Sequence, residues 1–210
     1  LIARELRGLN YSLFKFFRPV TYVPADIDLL VSNTDLNNVL TILRQLNFLP
    51  VVRDPYCITF VRTQHIIDVY THPSFAGIAL MDGEKLLDHT CVTDVNGVEV
   101  ITLKPYAEAV VIAVHAVIKE NIYTLNDYLT IREWSTKKSI ELARDMNCFE
   151  VLKLALEISR EIELGMIETP YKIPPPIWLS LFTKKFILDP RTRATSLNTM
   201  RFLMNPRFGK

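Results

Sequence analysis

The sequence predicts an α+β fold: a small mixed β-sheet with at least one helix, followed by a helical domain. Three observations carry that expectation. Short apolar, β-prone runs recur up to Leu103. After Pro105 the apolar spacing changes from period two to a period of about 3.6. Pro170, Pro174, Pro175 and Pro176 then interrupt the helical pattern. The expected domains are residues 1–104, a sheet-based core, residues 105–166, a helical bundle, and residues 167–210, a Pro-rich linker with a basic tail.

The elements follow in order. Residues 2–9 read as a short helix stopped near Gly8, and Tyr11 to Phe17 as an aromatic strand. Arg18-Pro19 to Pro24 is a loop, because the residue before a proline is held extended. Ile27 to Ser32 is a buried strand. Thr34 is the expected N-cap of a helix whose apolar positions are Leu36, Val39, Leu40, Leu43 and Leu46. Phe48 to Arg53, Cys57 to Arg62 and His65 to Thr71 are strand-like, with Arg62-Thr63-Gln64-His65 as a hairpin turn. Cys91 to Val95 and Val98 to Leu103 flank Asn96-Gly97, a strong hairpin signal. Pro105 fits the first position of a helix running to about Lys119. Thr124 and Asp127 resemble a capping box that opens a helix through Trp134. Further helices are expected from Ser135 to Met146 and from Phe149 to Leu164, closed by Gly165. The tail holds one helix near Ile177 to Phe186, then irregular structure.

Composition excludes several classes. The chain has 210 residues, of which 49% are hydrophobic and 22% charged, an ordinary globular balance that can bury a core. Net charge is +1, so no global nucleic-acid signature exists. From Phe182 to Lys210, seven Lys or Arg face one acid (+6), which leaves 17 basic and 22 acidic residues (−5) before it. That asymmetry suggests an anionic partner for the tail. Cys57, Cys91 and Cys148 form no C-x-x-C motif and read as reduced thiols of a cytoplasmic protein. The longest apolar run, Ala109 to Ile118, is interrupted by His115 and is too short to cross a bilayer. The six glycines are scattered, which excludes a P-loop and a dinucleotide fingerprint.

The stretch Asp26-Ile27-Asp28-Leu29-Leu30-Val31 carries the chemistry. Side chains at i and i+2 of a strand share a face, so Asp26 and Asp28 project together. Two like charges so close repel and raise each other's pKa unless a cation relieves them. Asp68 stands alone inside another β-prone run, Ile66-Ile67-Asp68-Val69-Tyr70, where a carboxylate is disfavoured. Three carboxylates from neighbouring strands would make a hard oxygen site suited to Mg²⁺. An Asp pair ahead of a strand also occurs as a simple turn.

These residues resemble the nucleotidyltransferase superfamily built on the polymerase-β-like core, and best its minimal members. Asp-Ile-Asp-Leu-Leu-Val is close to the signature strand, Leu46-Asn47-Phe48 looks like the recurring Leu-Gly-Phe, and Ile67-Asp68-Val69-Tyr70 looks like the third-carboxylate strand. Val98 to Ser159, with His115 and Leu125-Asn126-Asp127, is similar to the helical domain that often follows. The resemblance implies transfer of a nucleoside monophosphate from an NTP to an unknown acceptor. Asp26, Asp28 and Asp68 would be the catalytic residues: Asp26 and Asp28 would hold one or two Mg²⁺ or Mn²⁺ ions, and Asp68 would complete the second metal site and help activate the acceptor hydroxyl. His72 would share a strand face with Asp68 and Tyr70 and could accept a proton. The family's Gly-Ser turn is missing, and the region holds Leu13-Phe14-Lys15-Phe16-Phe17-Arg18-Pro19 instead. Lys15, Arg18 and Ser32 are therefore the nucleotide-binding candidates, with lysine as a point-charge phosphate binder.

Two alternatives stand beside an active enzyme. One is a catalytically inactive descendant that keeps the fold and binds a ligand or protein. The other is a nucleic-acid module using Lys184, Lys185, Arg191, Arg193, Arg201 and Arg207 with Phe186, Phe202 and Phe208. Pro174 to Leu181 is apolar enough to dock on a second copy.

Overall fold

The computed structural model describes residues 2–204. The chain divides into two compact units. The first holds the residues up to Phe17 and Val23–Lys104, and the second holds Arg18–Tyr22 and the residues from Pro105 on.

The first unit is α+β. It opens with α1 (Ile2–Glu5), β1 (Tyr11–Phe14) and β2 (Ile27–Val31), followed by α2 (Leu36–Gln45). Next come β3 (Leu49–Asp54), β4 (Cys57–Arg62) and β5 (His65–Tyr70), then the short pair β6 (Ser74–Phe75) and β7 (Ile78–Ala79). It closes with α3 (Gly83–Leu87), β8 (Thr90–Val95) and β9 (Val98–Leu103). Seven strands form one sheet in the order β3-β4-β5-β2-β1-β9-β8. The β2–β5 and β1–β9 pairs are parallel and the remaining pairs antiparallel. Asn96 and Gly97 both take positive φ, as the tight β8–β9 hairpin requires.

Register sorts the sheet into two faces, because residues directly opposite on paired strands share a side. Tyr11, Leu13, Leu29, Val31, Phe60, Ile67 and Val69 point one way and pack with Val39, Leu40 and Leu43 of α2 and with Phe48 as the core. Phe14, Asp28, Leu30, Thr59, Asp68 and Tyr70 point the other way. There α3 sits against the sheet. A Cβ on Gly83 would lie 1.9 Å from the Thr71 carbonyl oxygen and 3.0 Å from Leu30 Cδ1, so only glycine permits this approach.

The second unit is helical: α4 (Pro105–Val114), a π-helical turn (His115–Glu120), β10 (Ile122–Tyr123), α5 (Leu125–Trp134), α6 (Lys137–Asp145), α7 (Phe149–Glu163), β11 (Tyr171–Lys172), α8 (Pro175–Leu188) and α9 (Pro190–Leu203). Ala107 to Val114 are all buried, so α4 is the central helix. The Thr124–Asp127 capping box forms.

Three local expectations are corrected. The helix from Pro105 does not stay α-helical to Lys119. It widens at His115, and Trp178 Nε1 donates to the Ile118 carbonyl at 2.9 Å. The N-cap of α2 is Asp35, not Thr34; the Ser32 hydroxyl bonds Thr34 Oγ1 (2.9 Å) and Asp35 Oδ2 (3.3 Å). The region beyond Phe186 is not irregular, because α9 runs from Pro190 to Leu203. Its start is fixed by Asp189, whose carboxylate takes the Arg191 N–H and the Thr192 hydroxyl (3.0 and 2.9 Å). Arg207 and Phe208 lie outside the described residues. No helix among the described residues is long and apolar enough to cross a membrane.

Candidate metal centre

The site forms where β2 and β5 run side by side. Asp28 and Asp68 occupy one register position of this parallel pair. Asp26, two residues ahead of Asp28, adds its carboxylate on the same side. One oxygen from each of the three acids lies within 4.8 Å of the others. A divalent cation with oxygen ligands at about 2.0–2.6 Å bridges atoms about 3–5 Å apart, so the trio could bind one. The donors are all carboxylate oxygens, which suits a hard ion.

Each acid is held differently. Asp68 Oδ1 accepts the Thr59 hydroxyl at 2.5 Å across the β4–β5 pair. Asp28 is buried, and Lys15 Nζ stands 2.9 Å from its Oδ1. That contact is an ion pair that holds the ammonium against the buried carboxylate. Burial pushes the Asp28 carboxyl up to about 6; Lys15 pulls against this, and the charges of Asp26 and Asp68 add to the rise.

Lys15 follows β1 in the left-handed conformation, φ +56°. That turn brings its stem back over the sheet, where Nζ lies 5.3 Å from the Phe14 ring centroid and 5.8 Å from that of Tyr70. Burial holds the Tyr70 phenol well above its ordinary value, with Asp28, Cys57 and Asp68 adding to the rise. Burial, then the Asp68 charge, push the Cys57 thiol up to about 12, so it stands beside the acids as a neutral thiol.

Four expected site residues therefore meet: Asp26, Asp28, Asp68 and Lys15. Arg18 and Ser32 do not join them. Arg18 belongs to the second unit, where its Nη1 donates to Thr130 Oγ1 (3.2 Å) and lies 3.7 Å from Asp127 Oδ1. Ser32 shares the strand face of Asp28 but stands four residues on, about 13 Å along the strand. There its hydroxyl is engaged at the start of α2. His72 lies past the end of β5, and its Nδ1 accepts the Gly83 N–H at 2.9 Å, so it anchors α3. Thr59 was not foreseen, although the turn at Arg62-His65 fixes its position: counting back from that pair sets Thr59 opposite Asp68.

Compared with protein-family models and with curated proteins, the chain matches none.

Proposed function

We propose that this protein is a metal-dependent nucleotidyltransferase with a polymerase-β-like core. It would transfer a nucleoside monophosphate from an NTP to an acceptor hydroxyl, with Mg²⁺ or Mn²⁺ held by Asp26, Asp28 and Asp68. The observation that carries the reading is the meeting of Asp28 and Asp68 at one register position, with Asp26 beside them. An ion held by Asp26, Asp28 and Asp68 would supply neutralisation of charge on the transferring phosphoryl oxygens. Asp68, oriented by Thr59, takes the acceptor's proton. The acceptor oxygen bonds the α-phosphorus as the bond to the pyrophosphate oxygen breaks. Calorimetric titration of Mg²⁺ with each of the four NTPs tests this. Binding is expected for the wild type and lost in Asp28→Asn; equal heats in both would overturn it.

A second reading, a catalytically inactive protein of this fold, is favoured by two observations. Lys15 already offsets part of the Asp28 charge, and no glycine between Gly8 and Gly77 lets backbone N–H groups close on a triphosphate. It expects Asp26→Asn to raise the melting temperature whether or not Mg²⁺ is present.

The nucleic-acid role of the C-terminal region rests on fewer residues than its charge suggests. Lys185 is buried, and Lys184 pairs with Glu150 at 3.3 Å. Arg193 and Arg201 are exposed on α9, with Arg193 Nη1 donating to the Ile187 carbonyl (3.0 Å) and the exposed Phe202 next to Arg201. Loss of salt-dependent RNA or DNA retention in an Arg193→Ala/Arg201→Ala variant would support that role. Docking of a second copy on Pro174–Leu181 is checked by sedimentation mass.

A further inference from the structure

We propose that Lys15 is a built-in cation of the acid trio and restricts it to a single divalent ion. The inference rests on the metal-binding reading above and specifies its stoichiometry. Asp26, Asp28 and Asp68 together bear a formal charge of −3. Lys15 lowers this to −2, which one divalent ion neutralises. Two-metal phosphoryl-transfer sites hold their ions about 3.5–4 Å apart and bridge them through a shared carboxylate. Asp28 is the buried member of the three, shares a register position with Asp68 and stands two residues from Asp26, so it is the carboxylate that two ions would share. Lys15 Nζ stands 2.9 Å from Asp28 Oδ1, so an ammonium already takes up one side of that carboxylate.

The lysine is built into this place. Its side chain is only 11% exposed. Its left-handed backbone turns it off the end of β1, and the faces of Phe14 and Tyr70 receive the ammonium within 6 Å. An ammonium carries its charge without a ligand shell, so it stabilises Asp28 in a pocket where a second hydrated ion would need further oxygens. A lysine poised for a triphosphate would instead extend toward solvent.

The test is Mn²⁺ stoichiometry on the full chain without nucleotide, by equilibrium dialysis with electron paramagnetic resonance detection. The wild type is expected to hold one ion. Lys15→Met, which keeps the stem and removes the charge, is expected to hold two, the first about tenfold tighter or better because a competing cation has gone. Lys15→Arg is expected to stay at one. Should Lys15→Met not fold by circular dichroism, Lys15→Gln serves the same purpose. Two ions in the wild type, or one or none in the folded neutral variant, overturn the inference and leave the acid trio as a metal site. No ion in the wild type overturns both readings.

Discussion

Asp28 shows how burial and charge oppose one another in a single residue. Its carboxyl, ordinarily near 3.8, is raised to about 6 in the folded protein. The native state therefore holds its proton more tightly than the unfolded chain does. The resulting stability is fully present below the ordinary value and is lost as pH rises through about 6. The loss amounts to at most about 3 kcal/mol. Without divalent ions, the wild type is expected to lose stability relative to Asp28→Asn between pH 4 and 7. Added Mg²⁺ should restore the wild type only above about pH 6, because the ion needs the ionised carboxylate. Thermal melts of both proteins across this range, with and without Mg²⁺, check it. Thr59 acts on the neighbouring acid. Thr59→Val removes the donor to Asp68 and is expected to weaken Mg²⁺ binding by about 1 kcal/mol, read by titration.

At the scale of the element, two helices depend on single residues. α3 reaches the sheet only because Gly83 has no side chain. Gly83→Ala is expected to cost about 1–3 kcal/mol, measured as a lower urea midpoint, since the helix must back away from the Thr71 carbonyl. α8 is anchored by Lys185, whose ammonium bonds the carbonyls of Met146 and Asn147 and the Asp189 carboxylate (3.2, 3.4 and 3.0 Å). Burial pushes the Asp189 carboxyl up, but Lys185 and the donors around it outweigh this and hold it below the ordinary carboxylate value. Lys185→Met leaves a buried carboxylate unpaired and is expected to cost about 3–5 kcal/mol. Asp189→Asn on the same background should recover part of that loss, seen in the unfolding midpoints. Elements with local signals were legible: the capping box of α5, the Asn96-Gly97 hairpin and the three strands from Leu49 to Tyr70. α9 was not. Its sequence, Pro190 to Leu203, lacks a clear apolar stripe, and its start depends on the side-chain bonds of Asp189.

At the scale of the whole molecule, the acid cluster and the basic region fall in different units. The acid trio belongs to the sheet unit, on the face away from the α2-packed core. Hydrogen exchange is therefore expected to slow on Mg²⁺ addition in residues 24–32 and 64–72, while α4 and α7 keep their rates. Equal slowing throughout the second unit would contradict a site confined to β2 and β5. The charge count suggests an anionic partner for the basic C-terminal region, but charge counts ignore burial. Folding places Lys185 in the interior and pairs Lys184 with Glu150, so the local excess of positive charge overstates what a partner meets.

The sequence by itself determined the α+β class, the succession of a sheet region by a helical one and the shared side of Asp26 and Asp28. Each depends on periodicity or turn chemistry within a few residues. Only the tertiary structure decided that β5 pairs with β2 in the register that sets Asp68 beside Asp28. It also decided that Lys15 folds back onto that pair, while Arg18 and Ser32 are engaged elsewhere. Those outcomes depend on long-range pairing and on which charges find partners out of water, and neither is encoded in the spacing along the chain.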